Sequence, residues 1–229
     1  MFKKGFTLAE VLITLGIVGV IAAITLPTLT QSTTTAQIGP KLAKAASAFE
    51  QANKSLLKDQ DVDCLTDTNL LATVSGDEKT YGDALSNYLN MSENDYHTLT
   101  GASHSSISGP PSSTGASYLA KDGIEYITYT DWGSGSNGTP AHKQIVGIVW
   151  VDINGVAKPN EYATDVFWFH LMNDGSLQPG GGTFLANNAG YTHAHWSTKC
   201  PIGGAVESDV DAAYCTGHIF ENNLKVLYR

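Results

Sequence analysis

The chain begins with a long apolar run and continues into a second, periodic pattern. Residues 11–29 contain no charged side chain. As a helix rising 1.5 Å per residue they would extend about 28 Å, close to the hydrocarbon thickness of a membrane. Apolar residues then recur every three or four positions, at Ile38, Leu42, Ala45, Ala46, Phe49, Ala52 and Leu56. This spacing predicts an amphipathic helix ending near Lys58, with a kink or brief break at Gly39–Pro40.

The rest of the chain has the pattern of strands and turns. Residues 124–130, 145–152 and 165–172 are rich in β-branched and aromatic side chains, and Asn173-Asp174-Gly175 is a turn signal that leads back into 176–178. Residues 59–120 are rich in Gly, Ser, Thr and Asn, and predict an irregular, variable region with one short helix over 81–90. The pattern therefore predicts an α+β fold in which an antiparallel sheet packs on the amphipathic helix.

Charge divides the chain at the same place as hydropathy does. Between Phe6 and Pro40 the only ionisable side chain is Glu10, whereas residues 59–229 carry 20 acidic and 7 basic residues, a formal charge of −13. The acidic body argues against direct binding of nucleic acid. Lys3 and Lys4 precede the apolar run, so the N-terminus is expected in the cytoplasm and the body outside the inner membrane. Glu10 is costly in an apolar segment and needs a partner.

The residues around Glu10 resemble a known processing motif. The sequence GFTLAEVLI, from Gly5 to Ile13, is similar to that of type IV prepilins and type II secretion pseudopilins. The resemblance implies that a prepilin peptidase cuts after Gly5 and N-methylates the new first residue, Phe6. It also makes Glu10 the acid that is the hallmark of the family. Such a carboxylate would pair with the Phe6 amine of a neighbouring subunit in a filament, which favours one axial register.

The resemblance also implies an architecture and a set of partners. The fold would be type IV pilin-like, with a long N-terminal helix packed against an antiparallel β-sheet head. Its parts would be a leader (1–5), a transmembrane and filament-core helix (6–29), an amphipathic helix (30–58) and a globular head (59–229) with a variable loop region (59–120). The partners would be the prepilin peptidase/methyltransferase, other pilin subunits, the inner-membrane assembly platform and, before assembly, membrane lipid.

The implied function is that of a structural subunit, not an enzyme, with no required cofactor. The subunit would leave the membrane for a cell-surface pilus or a periplasmic pseudopilus. One alternative is a membrane-anchored or filament-tip binding module, such as a carbohydrate or surface adhesin, that uses a prepilin-type leader. Tryptophans that converge on an exposed face would favour this module; the chain has Trp132, Trp150, Trp168 and Trp196.

Small residues and one proline give the apolar helix further features. Ala9, Gly16 and Ala23 are seven residues apart, with Gly19 nearby, and such small-residue stripes let apolar helices approach closely. Pro27 lacks an amide hydrogen and clashes with the carbonyl of Ala23. The stretch from Gly16 to Pro27 is therefore predicted to bend or melt locally in a filament.

Two sites in the body stay open at this stage. Oxygen ligands cluster around one turn and predict either a structural calcium or an ordinary Asx turn: Asp152, Asn154, Asn160 and Asp165. Pilins often close a C-terminal loop with a disulfide, so the resemblance implies a bond between Cys200 and Cys215, closing region 200–215. Cys64 would then be a free thiol, or the true partner of one of the two.

Two other motifs are weaker. His193 and His195 alternate and could bind zinc with His170 or His218, but no paired cysteine or carboxylate spacing supports this. Residues 133–138 match G-x-G-x-x-G, yet a strand pattern follows them, not the helix that a dinucleotide site requires. We interpret this segment as a hairpin loop.

Overall fold

The computed structural model describes residues 7–68, 70–71, 78–89, 91, 116–129, 145–155, 157, 163–180, 183–184, 191–192, 200 and 209–226. Its helices are α1 (Leu8–Asp59), α2 (Glu78–Ser86) and α3 (Asp209–Glu221), with a short 3-10 helix at Leu65–Asp67. Its strands are β1 (Ala116–Leu119), β2 (Glu125–Tyr129), β3 (Ile145–Asp152), β4 (Val166–Met172), β5 (Leu177–Pro179), β6 (Thr183–Phe184) and β7 (Tyr191–Thr192). The chain divides into two compact units, residues 1–37 and residues 38–229.

The second unit is built on an antiparallel sheet. Strands β1 to β5 lie side by side in chain order, and β6 and β7 form a separate pair. The predicted α+β class is confirmed, and the three predicted long strands lie within a residue of the observed bounds. The turn at Asn173–Gly175 joins β4 to β5 and is closed by a hydrogen bond from the Gly175 amide to the Met172 carbonyl (2.9 Å).

Besides the short 3-10 helix, the described part of the region predicted to be irregular contains a helix and a strand. Helix α2 begins three residues before the predicted one and ends at Ser86. Strand β1 (Ala116–Leu119) lies inside 59–120, where we predicted only loop, and that part of the prediction is wrong. The strand is short and contains Ser117, so its own sequence is a weak signal. It is a strand because it pairs with β2 over four residues, from Ala116 opposite Thr128 to Leu119 opposite Glu125.

The amphipathic part of α1 forms the core with the sheet. The predicted apolar stripe is buried at every position: Ile38, Leu42, Ala45, Ala46, Phe49, Ala52 and Leu56. The ring of Phe49 lies 5.4 Å from that of Tyr126 on β2, and the Tyr126 hydroxyl donates to the Ala45 carbonyl (3.2 Å). Burial raises the pKa of Tyr126, which therefore stays a neutral donor. The sheet thus binds both the side chains and the backbone of α1.

A buried amide links three elements beside this core. The Asn53 side chain on α1 donates to the Gly175 carbonyl (3.0 Å) and accepts from the Tyr81 hydroxyl on α2 (2.6 Å). Asn53 and Tyr81 are both fully buried, and burial raises the pKa of Tyr81. Buried polar groups are costly unless they are hydrogen-bonded, so this pairing fixes where α2 and the β4–β5 turn meet α1.

Helix α1 runs through Gly39–Pro40 without the predicted break. The glycine has a different role there. A Cβ at Gly39 would lie 1.9 Å from the carbonyl oxygen of Leu224, in the turn that follows α3. Only a residue without a side chain permits this approach of two backbones.

Helix α3 lies against the core and is joined to the preceding segment by a disulfide. Cys215 and Ile219 are fully buried, and the Phe220 ring is 5.6 Å from that of Phe169 on β4. Cys215 is bonded to Cys200, the pairing that the resemblance implies, and Cys64 is a buried free thiol.

The first prediction concerns Gly39. Glycine in a helix interior is normally less stable than alanine by roughly 0.5–1 kcal/mol, so Gly39→Ala would stabilise a helix that had nothing beside it. Here the new Cβ would overlap the Leu224 backbone, and we expect the variant to be destabilised by roughly 1–3 kcal/mol in urea unfolding. Ser55→Ala on the exposed face of α1 is the control and should be nearly neutral. A Gly39→Ala variant as stable as the control would contradict the close approach.

The second prediction concerns the cysteines. Closing a loop of this length stabilises a domain by about 3 kcal/mol in the chain-entropy model. Replacing Cys200 and Cys215 together by serine should therefore lower the free energy of unfolding by about that amount. The two cysteines should also appear in one peptide pair in mass spectrometry after non-reducing digestion. Cys64→Ser should leave that peptide pair intact. In the native protein, a disulfide-linked peptide pair that contains Cys64 would contradict the assignment.

Candidate processing and assembly site

The first turn of α1 places Glu10 in a capping box. Helix α1 begins at Leu8, directly after Thr7. The Thr7 amide donates to Glu10 Oε2 (2.8 Å), the Thr7 hydroxyl donates to the same oxygen (2.7 Å), and the Glu10 amide donates to Thr7 Oγ1 (3.3 Å). These reciprocal bonds satisfy amides that a helix N-terminus leaves unpaired, and the carboxylate lies at the positive end of the helix dipole.

Sequence reasoning missed this role for Glu10. We treated the residue as an isolated acid that needs a partner from another subunit, whereas Thr7 already binds it within one chain. The signal was present, because Thr7-Leu8-Ala9-Glu10 has the Thr-x-x-Glu spacing of a capping box before an apolar run. Both residues lie after the predicted cut at Gly5, so processing would leave the box intact.

Beyond the first turn, α1 exposes apolar side chains around its whole circumference. Residues Leu8–Thr25 form a helix long and apolar enough to cross a membrane, and no part of this segment is buried among the residues that the structure describes. Leu8, Leu15 and Ile24 are 80%, 63% and 68% exposed. The hydroxyls of Thr14 and Thr25 donate to the carbonyls four residues before them, Glu10 and Ile21, each at 2.9 Å. Both hydroxyls are therefore hydrogen-bonded without water, so the surface of the segment is compatible with a lipid environment.

The small residues of this segment leave space for another helix. A Cβ added at Gly16 or Gly19 would have no atom within 4 Å. Ala9 and Ala23, seven residues to either side of Gly16, are exposed as well. In the described part of the chain no neighbouring atom requires glycine at these two positions, and small residues of this kind let apolar helices approach closely.

The structure leaves two of the sequence predictions for this segment untested. Gly5 and Phe6 lie outside the described residues. Pro27 lies within α1, which is helical through that position in the isolated subunit, and its side chain is not described. Local melting in a filament stays a prediction.

A comparison with known families identifies the segment. Residues 1–26 match the family model for the prokaryotic N-terminal methylation motif. The chain carries a prepilin-type signature. No curated protein and no solved structure matches the chain.

The prepilin-type signature covers Glu10 and the whole apolar segment Leu8–Thr25, and it stops before the head. The head has to be interpreted from its own geometry.

In the head, the turn after β3 is an Asx turn. The Asn154 amide donates to Asp152 Oδ1 (3.0 Å), and the Asn154 side chain donates to Asp165 Oδ2 (3.0 Å). Asp152 and Asp165 are both buried, and Glu125 lies opposite Asp152 on β2, where it accepts from the Ser117 hydroxyl. Burial, with the nearby charges of Asp165 and Glu125, raises the pKa of Asp152 from 3.8 to about 8.

This turn supplies few free ligands for the predicted calcium. Asp152 Oδ2 and Asn154 Oδ1 are the oxygens of these two side chains without a hydrogen-bond partner. Calcium takes six to eight oxygens, and Asn160 lies outside the described residues. Within the described part of the chain, no three His, Cys, Asp or Glu residues are placed to hold a metal ion. The Asx-turn alternative is therefore present in the structure, and calcium stays a prediction.

The remaining candidate side chains are in the interior or outside the described residues. His170 is buried on β4, and burial lowers its pKa to about 4, so it is neutral at pH 7. Trp150 and Trp168 are buried neighbours on β3 and β4, with ring centroids 5.2 Å apart. They do not form the exposed face that a sugar-binding module would need. His193, His195, Trp132, Trp196 and 133–138 lie outside the described residues, and His218 is buried.

The pH dependence of Asp152 gives a test of the turn. Its folded pKa is raised, so its contribution to stability is complete below about pH 4 and is lost as the pH rises through about 8. The loss is at most about 1.4 kcal/mol per pH unit. Asp152→Asn keeps an acceptor for the Asn154 amide and removes the ionisation. We expect this variant to unfold at a higher temperature than the native protein at pH 8, and without the native decline between pH 5 and 8.

Asp63→Asn, at an exposed position, serves as the control and should retain the native pH profile. Thermal unfolding of the native protein and of Asp152→Asn, measured with calcium and with a chelator, tests whether the turn binds this ion. A calcium-dependent rise in the native protein that Asp152→Asn abolishes would support the ion. Identical pH profiles for Asp152→Asn and the native protein would refute the raised pKa.

Proposed function

We propose that this protein is a structural subunit of the pilin and pseudopilin class, made as an inner-membrane precursor and assembled into a type IV pilus or type II secretion pseudopilus. The observation that carries the proposal is the continuity of the prepilin-type signature with an apolar helix segment that is not buried among the residues that the structure describes. A prepilin peptidase would cut after Gly5 and methylate Phe6. The assembly platform and other subunits would then take up the helix.

The exposed apolar helix suits both the membrane-bound precursor and the assembled subunit. Before assembly, Leu8–Thr25 would span about 27 Å at 1.5 Å per residue and lie in lipid, with the head outside the cytoplasm. After assembly, the same side chains would be covered by the helices of other subunits, and Ala9, Gly16, Gly19 and Ala23 would let those helices approach closely.

Glu10 is suited to both stages because its hydrogen bonds are local. In the membrane, Thr7 satisfies one carboxylate oxygen, Oε2. The other oxygen is available for the cationic Phe6 amine of a neighbour, and a charge-assisted bond of that kind is about twice as strong as a neutral one. Glu10 would therefore select a register between subunits without first losing its cap.

The proposal predicts separable effects at Gly5 and Glu10. Gly5→Ala should block or slow the cut, so that the chain accumulates at precursor mass. Glu10→Val removes a charge that costs on the order of 2.5–3.5 kcal/mol near a bilayer centre, so its insertion should be at least as complete as that of the native chain. Its filaments should nevertheless be lost or strongly reduced in electron micrographs of the producing cells.

Glu10→Gln separates charge from hydrogen bonding, since it keeps an oxygen acceptor for Thr7. We expect it to insert normally and to assemble poorly. Glu221→Gln, an exposed acid on α3, is the matched control and should assemble as the native chain does. Native amounts of filament from both Gly5→Ala and Glu10→Val would refute the proposed function.

A further inference from the structure

Between Ile38 and Lys58 the exposed positions of α1 carry only positive charge. These positions are Pro40, Lys41, Lys44, Ser47, Gln51, Lys54, Ser55 and Lys58. The one acid of this stretch, Glu50, is half-buried at the edge of the face, where its carboxylate accepts from the Leu177 amide (2.9 Å). We call the four lysines the basic face. It holds 4 of the 13 basic residues in a chain of formal charge −9.

Most of the basic face has no ion-pair partner among the described residues. Lys44 forms an ion pair with Asp122 (2.7 Å). Within the described ranges this is the only ion pair shorter than 4.0 Å, so Lys41, Lys54 and Lys58 have none there. Lys58 lies in the last turn of α1, where a cation interacts favourably with the helix dipole. The dipole acts only within that turn and does not account for Lys41 and Lys54.

The opposite charge is concentrated at the end of α1, whose last residue is Asp59, and in the turn that follows. Four exposed carboxylates occur within nine residues, on Asp59, Asp61, Asp63 and Asp67. We call them the acidic turn. The Tyr88 hydroxyl donates to Asp59 (2.8 Å), and the C-terminal end of the α1 dipole disfavours negative charge at this place. Local conflicts of this kind concentrate at functional positions.

The acidic turn is held in one conformation by hydrogen bonds. The Val62 amide donates to the Leu57 carbonyl (3.1 Å), and the Leu65 amide donates to the Asn173 carbonyl (2.7 Å). The Thr66 amide donates to Asn173 Oδ1 (2.9 Å), and the Asn173 side chain donates back to the Thr66 hydroxyl (2.9 Å). A partner would therefore meet pre-ordered carboxylates, which reduces the entropy lost on binding.

We propose that the basic face of one subunit binds the acidic turn of a second copy of this chain. The two surfaces are complementary in charge and lie in the same compact unit, so every subunit supplies both. A contact between two different surfaces of identical chains is heterologous, and it builds an open filament unless its rotation closes a ring. This inference rests on the proposed function and adds a contact between heads to the assembly through the apolar helix.

A second copy suits the basic face better than a large polyanion does. A nucleic acid or an anionic bilayer that approached Lys41 and Lys54 would also meet residues 59–229, whose formal charge is −13. That charge would repel it over about 8–10 Å at physiological salt. A second copy brings its carboxylates on a short ordered turn.

The experiment uses two charge reversals in the full chain, purified in a non-ionic detergent. The helix variant is Lys41→Glu with Lys54→Glu, and the turn variant is Asp63→Lys with Asp67→Lys. Self-association is measured by sedimentation velocity at about 0.01 M and about 1 M salt, where the Debye length is about 30 Å and 3 Å. The native chain should associate at low salt and dissociate at high salt. Each variant should associate about tenfold more weakly at low salt, since each loses two exposed ion pairs.

Mixing the two variants is the decisive step. In the mixture, the reversed helix face of one variant meets the reversed turn of the other, and the two native surfaces also meet, so association should return to the native level. An effect on folding, detergent or lipid would not be rescued by mixing. Lys121→Glu with Lys225→Glu makes the same charge change at exposed positions off the basic face, and should associate as the native chain does.

Failure of this inference differs from failure of the proposed function. Weakening in the control equal to that in the helix variant, or no rescue on mixing, would overturn the contact between heads. Loss of binding to anionic phosphatidylglycerol vesicles by the helix variant, with unchanged self-association, would overturn it in favour of lipid. Salt-dependent association should persist in Glu10→Val. If native cells make no filaments while this association persists, the proposed function fails and the contact between heads stands.

Discussion

Burial of one face of α1 is the interaction on which the head depends. The stripe from Ile38 to Leu56 meets the inner side chains of the sheet, among them Val149, Phe167 and Phe169. Burial of a large apolar side chain contributes roughly 1.5–3 kcal/mol, and the stripe has four such side chains, Ile38, Leu42, Phe49 and Leu56. Because the stripe recurs every three or four residues, it also fixes which side of α1 is left for solvent and partners. The basic face is that remaining side.

Buried polar groups then decide how the other elements meet this core. Apolar packing tolerates small shifts, whereas a buried amide without its partner costs about 1–3 kcal/mol. Asn53 therefore restricts α2 and the β4–β5 turn to one arrangement, through Tyr81 and the Gly175 carbonyl. Asn173 does the same for the segment after α1, through Leu65 and Thr66. The acidic turn is thus held in place by hydrogen bonds to Asn173, which lies more than a hundred residues later in the chain.

The sequence predicted those parts of the fold whose cause is local. The α1 stripe, the long strands and the Asn173–Gly175 turn each have a periodic or dipeptide signal of their own. Strand β1 and helix α3 were missed because pairing with β2 and burial of Cys215 and Ile219 define them, and neither partner can be read from a short segment. Gly39 was assigned to a helix break because glycine and proline usually mark one. The glycine is instead required by the close approach of the Leu224 backbone, which is distant in the sequence. At the candidate site, the motif singled out Glu10. Its hydrogen bonds with Thr7 were missed because the Thr-x-x-Glu spacing was overlooked.

Those hydrogen bonds change the physical meaning of the acid. A bare carboxylate in lipid would demand a partner at once, and the gain from pairing would then be mostly relief of a large penalty. Glu10 instead lies in the first turn, near the helix end, where the cost of burial is smallest and the dipole favours a negative charge. Thr7 supplies two donors before any neighbour arrives. Pairing with a neighbour's amine would therefore add little to the stability of the membrane-bound subunit and much to the difference between a correct and a shifted register. Under the proposed function Glu10 would therefore act on specificity, which would account for the one acid in a helix otherwise suited to lipid.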